Sequence, residues 1–234
     1  MNIKKLIGLT ILTSLTLSSQ AAILWTGGGA SDDYYDAANW DFSGSSSSVV
    51  ASPTDDDMTI SGASLNEPSG AFTNIEIGDG YTVTLDATSF TFTNNNGFSG
   101  VDDAGETNVP SNAISTLSLI NGSSYNAQFA AIGIDVLVDG TSSVIFRGGG
   151  DPINSQLERT RIVLAPGAQL TLPSVAEFTE QGADIIVGGV SFADDQSILS
   201  FNGTTATALG AIPEPSSALL AILAGFCFAR RRRS

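Results

Sequence analysis

Four stretches of this chain end an apolar strand in a glycine turn and then open a new strand. They are Ile77-Gly78-Asp79-Gly80-Tyr81-Thr82-Val83, Leu119-Ile120-Asn121-Gly122-Ser123-Ser124-Tyr125, Val138-Asp139-Gly140-Thr141-Ser142-Ser143-Val144 and Leu164-Ala165-Pro166-Gly167-Ala168-Gln169-Leu170. Glycine and asparagine tolerate positive φ, so each stretch reads as a sharp corner between short strands.

Between such corners apolar residues alternate with polar ones. The pattern marks strands at Tyr81–Leu85, Phe90–Phe92, Thr116–Leu119, Asp135–Val138, Ser143–Phe146, Arg161–Leu164, Gln169–Leu172 and Asp184–Val187. Asn94-Asn95-Asn96 reads as a polar loop. We read the fold as all-β, a right-handed parallel β-helix (solenoid) whose coils of about 20 residues stack on one core. The alternative is an antiparallel β-sandwich in which Asn-Gly and Asp-Gly close hairpins. Helices are expected only in an N-terminal signal and a C-terminal tail.

Those two ends differ from the body. Lys4 and Lys5, the apolar run Ile7 to Leu17 and the exit Ser19-Gln20-Ala21 follow the plan of a secretory signal, with cleavage after Ala21. At the other end Pro213-Glu214-Pro215 precedes an apolar run, and Arg230, Arg231, Arg232 and Arg233 close it. The prolines keep the approach extended. Residues 216–229 would make roughly 21 Å of helix at about 1.5 Å per residue. That is short for a hydrocarbon core of about 30 Å, which snorkelling arginines and local thinning can accommodate. The arginines would hold the far end in the cytoplasm as a membrane stop. Cys227 lies within the apolar run and packs there as a small hydrophobe.

This order of motif, short apolar helix and arginine cluster resembles the PEP-CTERM sorting signal of biofilm-forming Gram-negative bacteria. The resemblance implies recognition of Pro213, Glu214 and Pro215 by an exosortase-type processing peptidase and cleavage near the motif. It implies a membrane-anchored precursor at the inner membrane, then release to the cell surface or the extracellular matrix. The organisation expected is a signal peptide at 1–21, an acidic β-rich extracytoplasmic domain at 22–205 and a linker with the motif at 206–215. A short transmembrane helix at 216–229 and a basic cytoplasmic tail at 230–234 complete it. Trp25-Thr26-Gly27-Gly28-Gly29 followed by Ala38-Asn39-Trp40 resembles the opening of autotransporter-type surface repeats, and implies a cap over the first coils. A platform for a sugar ring is the other reading of these aromatics.

Composition narrows the chemistry. The chain has no histidine, so Ser-His-Asp hydrolysis, Cys-His catalysis and His-ligated zinc are excluded. Outside the two ends only Arg147, Arg159 and Arg161 stand against the 24 carboxylates of a chain with net charge −15. Such a surface repels nucleic acid. Asp32-Asp33-Tyr34-Tyr35-Asp36, Asp55-Asp56-Asp57, Asp102-Asp103 and Asp194-Asp195 cluster acidic oxygens. Calcium is the ion they could take, although no EF-hand or nonapeptide spacing is met. No cofactor and no catalytic residue is expected.

Three functions follow. The first is a non-catalytic structural protein of the surface or matrix, with Ser43 to Ser48 open to glycosylation. The second is a glycan-binding module using Trp25, Tyr34, Tyr35 or Trp40 on an extracellular polysaccharide. The third is a carbohydrate-active enzyme using carboxylates, or a lyase using one of the three arginines.

Overall fold

The computed structural model describes residues 22–30, 32–50, 54–66, 74–93, 97–100, 114–129, 133–149, 152–153 and 160–210. The expected signal with Ala21, the 94–96 loop, Asp102, Asp103, Arg159 and the whole tail from Pro213 to Arg233 lie outside them.

Seven strands stack to form most of one sheet, here the first sheet: β1 (Ala22–Trp25), β3 (Asp57–Ser61), β6 (Thr82–Asp86), β9 (Ser115–Ile120), β11 (Ile134–Val138), β13 (Arg161–Leu164) and β15 (Ile185–Val187). Every contact between neighbours in this series is parallel. A second sheet stacks β4 (Ser64–Asn66), β7 (Ser89–Thr91), β10 (Ser124–Ala127), β12 (Ser143–Phe146) and β14 (Gln169–Thr171), again parallel. A third, smaller face pairs β5 (Ile75–Ile77) with β8 (Phe98–Gly100). The chain thus winds as a parallel β-solenoid, and the sandwich alternative falls.

Register is kept although the coils differ in length. Val83 pairs with Leu117, Leu117 with Val136, Val136 with Ile162 and Ile162 with Ile185, all buried. Yet stacked corner residues lie 25 positions apart at Ala63 and Thr88, 35 at Thr88 and Ser123, and 19 at Ser123 and Ser142. A slip of one residue would turn each apolar file outward, so the core fixes the register and the connections absorb the difference. Facing the aliphatic file, Phe90, Tyr125 and Val144 stack from the second sheet.

At the corner between the two large sheets a buried polar file replaces the apolar ones. Ala63 N–H donates to Thr88 Oγ1 (3.3 Å), Thr88 N–H to Ser123 Oγ (3.1 Å) and Ser123 N–H to Ser142 Oγ (3.0 Å). Thr88 and Ser123 donate their hydroxyls back to Ile60 O and Leu85 O of the preceding coil, at 2.9 and 2.8 Å. The turn's backbone groups are therefore satisfied inside the solenoid, as burial demands.

Both ends are closed by antiparallel pairs. At one end β2 (Trp40–Asp41) pairs with β1. Tyr34 is fully buried there, its O–H 3.3 Å from Met58 Sδ, while Trp40 Nε1 donates to Tyr34 O at 2.7 Å. At the other end β16 (Val190–Ser191) folds back on β15, and β18 (Thr205–Ala208) runs antiparallel to both β14 and β17 (Leu199–Asn202). Phe178, Phe192 and Phe201 meet edge to face there, with centroids 4.9 to 6.4 Å apart.

Three expectations are corrected. Helices are not confined to the termini: α1 (Val175–Glu180) and 3-10 turns at Ala37–Asn39 and Gln196–Ile198 belong to the body. Strand β18 crosses residue 205, so the sheet runs on through Ala208. The stretch Ile77–Val83 is the corner between β5 and β6, not an equivalent of the other three. Its coil makes the shared corner at Asp86-Ala87-Thr88, where Ala87 takes φ 48° without a glycine.

Candidate binding face

Alternation in the second sheet sends one residue in two outward. Because the strands pair in register, these residues form two straight files. The first runs Ser64, Ser89, Ser124, Ser143 and Gln169. The second runs Asn66, Thr91, Asn126, Ile145 and Thr171. Strands β18 and β17 continue both files with Thr207 and Ser200, and with Thr205 and Asn202. All are exposed or half-buried. Every position except Ile145 is Ser, Thr, Asn or Gln, and none carries a charge.

The outer face of the first sheet is built differently. It presents Asp57, Asp86 and Asp135 among its Thr and Ser residues, with exposed Leu24 and Leu137. Arg161 forks onto Asp135, Nε to Oδ1 at 2.9 Å and Nη2 to Oδ2 at 2.5 Å, which is a structural ion pair across adjacent rungs. Arg147 instead flanks the uncharged files. Its Nε donates to Asn126 Oδ1 at 2.8 Å and its Nη2 to Phe92 O, which fixes the Asn126 amide.

The aromatics of the cap reading and of its sugar-platform alternative pack against one another. Tyr34 and Trp40 are buried, and Trp25 and Tyr35 are half-buried edge to face against Trp40 and Tyr34, at 5.1 and 5.2 Å. Burial pushes the Tyr34 phenol above its usual range, with the neighbouring Tyr35 adding to it. These residues cover the core, as the cap reading requires.

Acidic clusters serve the turns. Asp33 and Asp36 accept from the N–H groups of Tyr35 and Ala38, Asp57 from Thr82 N–H, and Asp195 from Ser197 N–H. Asp56 accepts from Asp57 N–H, and Asp194 from the Ser191 hydroxyl. Among the described residues no group of three or more His, Cys, Asp and Glu could hold a metal ion.

Several carboxyls are held low. At Asp41 the cause is the Ser43 N–H and hydroxyl, and at Asp195 the Ser197 hydroxyl and N–H. Partial burial would raise Asp139, but hydrogen bonds from Ser142, from Asn121 N–H and from Thr141 outweigh it and hold the carboxyl at about 2. A general acid needs the opposite shift. Ser43 and Ser48 are exposed, in the segment that follows the cap.

Sequence reasoning missed the uncharged face because Ser, Thr and Asn were read as turn-formers. The signal was present in the spacing, since Ser64-Leu65-Asn66, Ser89-Phe90-Thr91 and Ser124-Tyr125-Asn126 each place polar residues two apart about a buried one. Comparisons with protein-family models, with curated proteins and with solved structures find no match for this chain. Among the described residues no helix is long and apolar enough to cross a membrane.

Proposed function

We propose that this chain is an exported, non-catalytic structural protein of the cell surface or extracellular matrix, sorted by its C-terminal PEP signal. The observation that carries the reading is a self-capped solenoid bracketed by a secretory pattern and a sorting pattern. Strand β1 begins at Ala22, so cleavage after Ala21 would leave every described strand whole. Caps at both ends close the core over itself, which suits a protein that must stand alone outside the cell. The carboxylates held low in turns stay ionised and keep such a surface hydrated.

In this reading an exosortase-type peptidase reads Pro213, Glu214 and Pro215. The segment 216–229 anchors the precursor, and Arg230 to Arg233 hold it in place until cleavage. The test is the intact mass and location of the protein in its host, beside the variant P213A/E214A/P215A. Loss of the tail near Pro215 and arrival at the surface, with the variant retained in the membrane, supports sorting. Retention of the arginines in both, at one shared location, makes the tail a plain anchor.

A further inference from the structure

We propose that the outer face of the second sheet binds an uncharged polysaccharide chain laid along its two polar files. The inference deepens the matrix reading by naming a partner, and it rests on that reading for its setting alone.

Charge selects the partner. The chain carries 24 carboxylates, and the outer face of the first sheet bears Asp57, Asp86 and Asp135 on the same kind of parallel strand. Strand context therefore does not by itself exclude carboxylates, yet the seven rungs of the second sheet present none. An anionic polymer would be repelled by the net charge of −15, and a polycation would gather at the acidic turns instead.

Functional groups point the same way. Ser and Thr hydroxyls donate one hydrogen bond and accept two, and Asn and Gln amides do both, which matches the hydroxyls of a neutral sugar. A protein partner would want an apolar centre with aromatic anchors, and Ile145 is the one apolar side chain in the files. Rungs stand about 4.8 Å apart, near the rise of one residue in an extended β-linked glycan, so six steps span roughly 29 Å. Each contact is weak, and repetition along the files supplies the affinity. Arg147 and the Thr171 and Thr205 hydroxyls, 2.8 Å apart, hold parts of the face in fixed orientation.

The test is affinity electrophoresis of the protein as purified from its host, in native gels containing hydroxyethylcellulose or galactomannan, with alginate as the anionic comparison. Retardation by a neutral polymer is expected, unchanged by added salt because no charge pair forms. The variant S89D/S143D should raise the apparent Kd at least about tenfold, since each carboxylate must be desolvated against the sugar. The variant T59D/S118D, on the first sheet, should bind as wild type. Circular dichroism melts confirm that both variants fold.

Absence of retardation on every neutral polymer overturns the proposal, as do equal losses in both variants or a preference for alginate. Self-association abolished by S89D/S143D would assign the face to a second copy. Freezing-point depression with shaped ice crystals, without glycan retardation, would assign it to ice. Each outcome is read in vitro and is independent of whether the PEP tail is cleaved.

Discussion

Ser123 and Ser142 sit one above the other inside the solenoid, the N–H of the first donating to the hydroxyl of the second at 3.0 Å. Ser123 in turn accepts from Thr88 N–H, so its hydroxyl satisfies the coil below while its amide is satisfied by the coil above. Replacing Ser123 with alanine strands the Thr88 amide in a buried place, at a cost of about 1–3 kcal/mol. At ~2–4 °C per kcal/mol for a domain of this size, S123A should lower the Tm by several degrees. S123T keeps the hydroxyl and should lose less, which thermal melts of the two variants will show.

Corners of adjacent coils touch through glycine. A β-carbon on Gly140 would stand 2.3 Å from Pro166 O, and one on Gly78 only 2.0 Å from Thr54 O. Neither obstacle is a flexible side chain, so the coils themselves must part. G140A and G78A should each destabilise by about 1–3 kcal/mol, as overpacking does. By contrast G149A meets nothing within 4 Å and serves as the control in denaturant titrations.

The cap at Tyr34 should act locally. Tyr34→Ala removes a fully buried ring and should cost about 3–5 kcal/mol. Tyr34→Phe forfeits only the contact with Met58 Sδ and should cost below about 1 kcal/mol. Because each coil touches only its neighbours, hydrogen exchange in Tyr34→Ala should quicken in β1 and β3 before it does in β15.

Acid should loosen the corner at Asp139. Its carboxyl titrates near 2 when folded and near 3.8 in the unstructured chain, so the folded state binds fewer protons between those values. Its stabilisation is present in full above 3.8 and is lost as pH falls towards 2. Solvent screening at this exposed turn limits the loss to below about 1 kcal/mol. D139N should be insensitive to pH in that window by this group, so the gap between the two proteins should close from pH 4 to pH 2.

Calcium should leave stability untouched. The oxygens of Asp33, Asp36 and Asp195 already accept backbone hydrogen bonds within their own turns, and Asp57 accepts one from Thr82 of the next coil. Millimolar calcium and a chelator should give superimposable melts. A rise in Tm with calcium would reassign one of these turns as an ion site.

All eight strands expected from alternation fall on strands, and Ser143–Phe146 and Arg161–Leu164 keep the same bounds. Alternation was legible there because Val, Ile, Leu and Phe face inward. It was not read at β3, although Met58 and Ile60 face inward there, nor at β18, where Ala206 and Ala208 are the inward residues and are too small to stand out from Thr205 and Thr207. Glycine marked positive φ at Gly80 and Gly122 but not at Gly140, and it could not say which corner each one makes, while Ala87 does the same work unmarked. Helix α1 is too short for a period to emerge, yet Ser174 capping the N–H of Glu177 is the Ser-x-x-Glu signature of a helix start. The uncharged face could not be read at all without register, since its two files join residues that lie far apart along the chain.

The antiparallel pairs that close the stack also decide how such a molecule can change size over generations. A coil appended after β17 and β18, or ahead of β2, would meet a strand running the wrong way to continue the winding. Duplication can succeed only in the interior, between β6 and β13, where each new turn would add one whole rung of about 4.8 Å. Descendants of this chain should therefore differ in length by whole coils, with both terminal plugs left unaltered.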